Sequence, residues 1–373
     1  MLAHEEGSVP AVLVGSQPHD STEIDESQYD YTEVHTTRCE IDAKFTPKRK
    51  RSILLSESYD RIGFESKASR VADCGTSLEF AYTIDPDSGE VSEDGKLHYA
   101  NFCKDRLCPM CAWRRTYKIF GQVSRIMEEL GDKYEYLFLT LTVPSVPAES
   151  LTETISRLVG AWGNLIRQKP FKTAVRGFFR ALEVTRNNDP KSKSYELYHP
   201  HFHVILAVNK SYWNNYYIPH DQWLSMWRKA YKDDSITQVD IRKARPKDME
   251  QKAGAVEAVE SLFSIASAVA EIAKYSVKDT DYIFENDPEL TDKIVVTLAG
   301  ALARRRLTAY GGCFDEAWKK LQLDDAEDGD LVHVDDDKLN PAVAWFVVKY
   351  GWTAGVYKMT GHYIKTPGES EEE

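Results

Sequence analysis

The chain has 373 residues, 42% of them hydrophobic and 28% charged, which is enough for a full core divided among two or three domains. Its longest apolar runs fall well short of the ~20 residues a membrane span needs. The N-terminus also lacks the basic-then-apolar order of a secretion signal, so the expectation is a soluble, cytoplasmic protein without a membrane partner.

A net charge of −12 argues against a nucleic-acid binder until its placement is read. Residues 1–45 hold 10 acidic and 2 basic side chains, residues 324–338 hold 8 and 1, and residues 368–373 hold 4 and none. The rest of the chain holds 37 acidic and 44 basic residues, a balance of +7. A mildly basic body is compatible with phosphate binding, and the acidic stretches are expected to be solvated and disordered.

In chain order, residues 1–45 are polar and without sustained periodicity, and are expected to be a mostly disordered N-terminal region. Residues 46–115 are expected to form a basic arm and a cysteine module. The arm holds Lys48, Arg49, Lys50 and Arg51, which read either as a solvated face or as a phosphate-contacting, DNA-binding cluster. The module holds Cys74, then Cys103, Cys108 and Cys111 in FCKDRLCPMC. Four thiolates suit a tetrahedral structural Zn²⁺, and the tight Cys-x-x-Cys supplies two ligands from one turn. Cys39 and Cys313 have no partner pattern.

Trp113, Tyr117, Phe120, Val123, Met127 and Leu130 recur at helical spacing up to Gly131. Residues 136–143 (YLFLTLTV) read as a buried strand, 150–167 as an amphipathic helix and 178–185 (FFRALEVT) as a second strand. A polar loop leads to a third strand at 201–208, so the last two are expected to form a long-looped hairpin. Residues 221–232 predict a helix with Asp221 as N-cap and Trp223, Trp227 and Tyr231 on one face, where core packing outweighs contact with duplex DNA. A short strand is expected at 239–243, a long Ala-rich helix at 254–278, a helix over 298–320 with a Gly311-Gly312 break, and strands over 340–365.

The segment Tyr198-His199-Pro200-His201-Phe202-His203-Val204-Ile205-Leu206-Ala207-Val208 is the most informative. Strand side chains alternate faces. His199, His201 and His203 therefore share one face, and Phe202, Val204, Leu206 and Val208 share the other, apolar one. Imidazole is the commonest metal ligand, so the first face is a metal platform, which Glu183 on the adjacent strand can reach. Two histidines and a carboxylate with open positions suit Mg²⁺ or Mn²⁺ acting on phosphates, or zinc.

A second constellation is Glu271, Lys274, Tyr275 and Lys278, whose offsets of three, four and seven put them on one helix face. Alone it reads as a solvated Glu/Lys face. Beside a metal it supplies a tyrosine nucleophile flanked by two lysines that can hold a phosphate.

These pieces, in this order, resemble the replication initiators of rolling-circle plasmids, in the HUH endonuclease superfamily. FLTLTVP at 138–144 is similar to the family's first motif, HPHFHVILAV at 199–208 to the second with His201-Phe202-His203 as its paired histidines, and EIAKYSVKD at 271–279 to the third. The cysteine segment resembles the region upstream of the first motif, and the likeness spans roughly residues 48–315.

The resemblance implies an α+β fold with a central antiparallel sheet of about five strands and helices on one side. It implies a catalytic domain over 116–285 and a C-terminal extension over 286–373. It further implies a single-tyrosine nickase that recognises a hairpin or repeat in plasmid origin DNA. A metal held by His201, His203 and Glu183 would polarise one phosphate in exposed single strand. Tyr275 would attack and stay joined to the 5′ phosphate, and the freed 3′ hydroxyl would prime the host polymerase, aided by a host helicase and single-strand-binding protein. Glu271 would activate a water to end the round. His199 stands as a further ligand or a supporting group, and Tyr282 as a reserve nucleophile seven residues past Tyr275.

Three other readings stay open. HPHFHVI also fits a histidine-triad nucleotide hydrolase with His201 as nucleophile. The histidines could be structural in a zinc-stabilised, non-enzymatic DNA-binding regulator. A conjugative relaxase or transposase of the same superfamily is a third reading, against which the cysteine segment argues.

Overall fold

The computed structural model describes residues 41–85, 89–92, 94–243, 277–334, 339–340 and 343–366. They divide into two compact units. The larger comprises the described residues within 51–72 and 103–335, and the smaller those up to Lys50, within 73–102 and from 336 onward.

Residues 41–45 form a helical turn with Ile41 and Phe45 buried, so the end of the expected disordered region is ordered; residues 1–40 lie outside the described residues. Helices α1 (Thr46–Arg61) and α2 (Glu65–Asp73) follow, then strands β1 (Ser77–Thr83) and β2 (Lys96–Ala100). Next come α3 (Pro109–Leu130), β3 (Tyr134–Thr142), α4 (Ala148–Ile166), α5 (Lys169–Ala174), β4 (Val175–Arg186) and β5 (Tyr198–Asn209). The chain continues through α6 (His220–Tyr231), β6 (Asp240–Lys243), α7 (Pro288–Ala301), β7 (Thr308–Gly312), α8 (Cys313–Lys320), β8 (Trp345–Thr353) and β9 (Val356–Lys365). The fold is α+β, built on two antiparallel sheets.

In the smaller unit the sheet order is β2-β1-β8-β9, so the expected C-terminal strands pair with strands some 260 residues earlier. Its core includes Ala81, Trp345 and Val347.

In the larger unit the order is β6-β3-β5-β4-β7. The two central strands form the expected hairpin, with Glu183 opposite His201 and Thr185 opposite His199. Alternation holds along β5. Phe202, Val204, Leu206 and Val208 are fully buried, and Trp162 of α4 packs edge-on against Phe202 and Phe178 on that face. The opposite face is covered over part of its length by α3 and α8, with Val123, Ile126, Phe179, Ile205 and Phe314 in one core. Helices thus lie on both faces of the sheet rather than one, because both faces carry apolar residues that must be buried.

Helix α3 ends as expected at Gly131, whose φ of 56° is the left-handed conformation that glycine adopts without strain. Asp221 is not an N-cap: α6 starts at His220, Pro219 is the cap, and Asp221 sits in the first turn. Trp223 and Trp227 are wholly buried, which excludes contact with DNA. The helix expected over 298–320 is instead three elements, α7, β7 and α8. Gly312 lets β7 approach β4, since a Cβ there would meet the Arg176 carbonyl oxygen at 2.1 Å.

The basic cluster does not form an exposed arm. It lies on α1, where Arg49 is buried and Arg51 binds protein groups.

The acidic loop departs most from expectation, being docked rather than solvated over 324–332. Lys118 of α3 reaches the Asp324 carboxylate and the Asp330 carbonyl, both at 2.6 Å. Arg114 donates to the Leu331 and Val332 carbonyls and Arg115 to that of Glu327. The buried Glu327 side chain accepts from the Leu307 and Thr308 backbone amides and the Thr308 hydroxyl. Its charge is compensated by Arg106 at 3.2 Å, and the loop thereby ties α3 to the edge strand β7.

Candidate metal centre

The site stands on the face of the larger sheet that also packs against α3 and α8. Strand alternation on β4 and β5 brings Glu183, His201 and His203 to one face, and the register sets Glu183 beside His201. The Glu183 carboxylate oxygen Oε2 lies 2.9 Å from His203 Nε2 and 3.3 Å from His201 Nε2, and the two Nε2 atoms are 3.1 Å apart.

The other ring nitrogens are engaged behind the site. His201 Nδ1 lies 3.0 Å from the His199 carbonyl oxygen, and a proton donated there leaves Nε2 with its lone pair. His203 Nδ1 lies 3.3 Å from Thr140 Oγ1 on β3. The pattern FLTLTV, weak as a sequence signal, thus supplies a hydroxyl that orients one imidazole.

Glu183 and His201 are buried, and the His203 side chain is 12% exposed. Burial alone would raise the Glu183 pKa, but hydrogen bonds and charge from His201 and His203 hold it well below the usual carboxylate range.

This donor set fits a divalent ion. Donors about 2.1 Å from a common ion lie ~3.0 Å apart at octahedral and ~3.4 Å at tetrahedral angles. The observed edges of 2.9, 3.1 and 3.3 Å fall in that range. Three protein donors are fewer than the four to six that such an ion takes, so the set does not by itself complete a coordination shell.

His199 stacks on His201, ring centroids 5.0 Å apart, and does not belong to the close group of three donors. Burial, with the charge of His201 adding to it, pushes His199 down to about 4. It lines a polar cleft of about 370 Å³ with Ser145, Thr185, Asn187 and Asn188.

Cys103, Cys108 and Cys111 of the larger unit offer sulfur atoms within 4.8 Å of one another, three of the thiolates expected for a four-thiolate group. Cys103 and Cys111 Sγ are 3.6 Å apart, close to the ~3.8 Å edge of a tetrahedron with metal–sulfur bonds of about 2.3 Å. The Asp105 amide points at Cys103 Sγ at 3.4 Å, and Asp105 itself caps the turn by accepting from Leu107 N–H and Tyr59 O–H.

Glu271, Lys274 and Tyr275 lie outside the described residues. Lys278 is described and is exposed, but its backbone is extended (φ −73°, ψ 134°). The helix expected over 254–278 lies outside the described residues up to 276, and Lys278 itself is not helical. A single helical turn over Asp279–Asp281 follows, anchored by Arg51. The Arg51 guanidinium reaches the Asp279 carboxylate at 2.6 Å and donates to the Asp279 and Ile283 carbonyls at 2.7 and 3.1 Å.

Asp281 was not singled out in the sequence. Burial raises its pKa, and the charge of Glu183 adds to that, so this turn passes within electrostatic reach of the donor set. A lone aspartate beyond a helix end carries no sequence signal that would have found it.

Tyr282 is excluded as a reserve nucleophile. It is fully buried, burial pushes its hydroxyl far above the ordinary value, and that hydroxyl donates to the Leu107 carbonyl. Tyr282→Phe is expected to cost about 1–3 kcal/mol of stability in urea denaturation, because the Leu107 carbonyl loses its buried partner. It should leave any DNA-joining activity intact.

Among the described residues no helix is long and apolar enough to cross a membrane. No solved structure matches the chain. A family model described as "Replication protein" matches residues 94–359. A "Protein rep" of Bacillus amyloliquefaciens is 40% identical over 325 residues, covering 83% of this chain and 91% of the relative. A "Protein rep" of Streptococcus pneumoniae is 35% identical over 305 residues, 79% of this chain and 85% of the relative. One of Staphylococcus aureus is 34% identical over 251 residues, 66% of this chain and 97% of the relative. With the family model spanning most of the chain and relatives of this similarity covering nearly their own full length, the chain belongs to the Rep family of replication proteins, the initiators of plasmid replication.

Proposed function

We propose that this initiator is a metal-dependent, single-tyrosine nickase of the HUH type that cuts and rejoins one strand at its plasmid origin. The observation that carries the reading is the convergence of His201 Nε2, His203 Nε2 and Glu183 Oε2 within 2.9–3.3 Å on one sheet face. A Mg²⁺ or Mn²⁺ held by these three would supply Lewis-acid polarisation of the scissile phosphate. The His199 carbonyl and Thr140 hydroxyl keep both imidazoles turned toward it.

Tyr275 is the nucleophile. Its oxygen bonds to phosphorus, the 3′ oxygen leaves as the primer hydroxyl, and the 5′ side stays on the protein. The charge of Glu183 acts on Asp281, six residues after Tyr275, which supports bringing Tyr275 to the same phosphate. Lys274 and Lys278 are assigned to the phosphate oxygens, and Glu271 to activating the water or hydroxyl that ends the round. Cys74, Cys103, Cys108 and Cys111 hold a structural Zn²⁺. The body of the chain meets origin DNA presented as a hairpin or single strand, and host helicase, polymerase and single-strand-binding protein take over the freed 3′ end.

The test is nicking of supercoiled plasmid carrying the origin, with Mg²⁺ or Mn²⁺. A relaxed, protein-linked product is expected. Glu271→Ala should keep first-strand nicking and impair termination, whereas equal loss of both steps would remove Glu271 from its assigned role. A protein that binds the origin without nicking it would support the non-enzymatic regulator instead.

A further inference from the structure

The far end of strand β5 carries a feature that the metal centre does not use. After Asn209 the chain makes a helical turn over Tyr212–Tyr216, and Trp213, Tyr216 and Tyr217 stand exposed on it. Trp213 is 43% and Tyr217 52% exposed, unusually high for large aromatic side chains.

Their exposure is built rather than accidental. Tyr212 is buried as the root of the turn, and its hydroxyl accepts the Ile218 amide at 3.2 Å. Trp213 is fixed by its indole N–H, which donates to Glu135 Oε2 on β3 at 2.6 Å. Its ring then faces that of Tyr217, centroids 5.5 Å apart at 31°.

The surroundings are basic. Helix α5 packs against this turn and presents Lys169 and Lys172 to solvent, with Arg176 exposed just beyond it on β4. None of the three forms an ion pair among the described residues. Of the acidic groups here, Glu135 is engaged by Trp213 and by Lys243 at 3.1 Å, and Asp132 by Lys210 at 3.2 Å.

Rigid exposed rings beside unpaired cations are what a single-stranded nucleic acid requires: π-faces for unpaired bases and positive charge for the backbone. Duplex bases are already stacked on each other and cannot use the rings. We infer that the Trp213–Tyr217 turn, with Lys169, Lys172 and Arg176, is a docking surface for unpaired DNA, separate from the metal centre. From His201 to Asn209 is eight strand residues, or about 26 Å at ~3.3 Å per residue. The surface therefore engages DNA well away from the three donors, and the inference stands whether or not the chain nicks.

The test is fluorescence anisotropy of full-length protein carrying Tyr275→Phe, without divalent metal, against a labelled 20-nucleotide oligothymidine and a duplex of equal length. Trp213→Ala and Tyr217→Ala are each expected to weaken single-strand binding about 10-fold, with Trp213→Phe retaining most of the affinity. Duplex binding should stay within twofold. Combined Lys169→Ala and Lys172→Ala should lower the salt slope for single strand by about 1.4. Unchanged single-strand affinity in the aromatic variants would overturn the inference. So would equal loss for duplex, or a change of sedimentation with affinity intact, which would make the turn a protein–protein contact. Failure of the parent protein to nick in a separate assay would sink the proposed function and leave this binding result standing.

Discussion

Tyr275→Phe is expected to abolish the covalent protein–DNA product and to lower nicking by about 10⁴-fold or more, the scale of losing a nucleophile. The change deletes one oxygen and keeps the ring, so binding to origin DNA should persist. A denaturing gel of labelled origin oligonucleotide separates the outcomes. Bound but uncut DNA supports the role, and an adduct retained at wild-type yield removes it. Water attack at the same phosphate, with the three metal donors intact, accounts for any residual nicking.

His201→Ala is expected to be nearly as severe for nicking, on the order of 10³-fold, since a lost ligand forfeits several kcal/mol of charge stabilisation at the phosphate. It should also weaken Mn²⁺ binding, read directly by calorimetry on the protein without DNA. Glu183→Gln should act in the same direction, because it removes the only negative charge among the three donors. Origin binding should be kept in both variants. These arms separate a metal centre from a histidine-triad hydrolase. In the latter, chelation would leave activity untouched and His201 itself would carry the covalent intermediate.

The histidine face was legible because it obeys a local rule. A period of two over His199–Val208 fixes which side chains share a face, and a hairpin partner with its own alternation puts Glu183 beside them. Cys103, Cys108 and Cys111 were legible from spacing, whereas Cys74, 29 residues before Cys103, had no such pattern. The remainder depended on partners far along the chain. Residues 324–332 read as solvated because acidity alone predicts that. The basic residues that bind them, Arg106, Arg114, Arg115 and Lys118, lie some 200 residues earlier. Arg51 read as a DNA contact for the same reason, its partners at Asp279 and Ile283 being more than 220 residues away. The pairing of β1 with β8 has no local signature either. The Lys278 side chain suits a helix well, and only its extended backbone places it outside one.

The most direct test of the metal-and-tyrosine account is to trap the protein–DNA complex formed with Mn²⁺ on an origin oligonucleotide, digest it, and map the linked peptide by mass spectrometry. The account predicts a nucleotide joined through its 5′ phosphate to Tyr275 and no linkage when the metal is chelated. Linkage to His201 or to any other residue, or an adduct that forms in the presence of chelator, would contradict it.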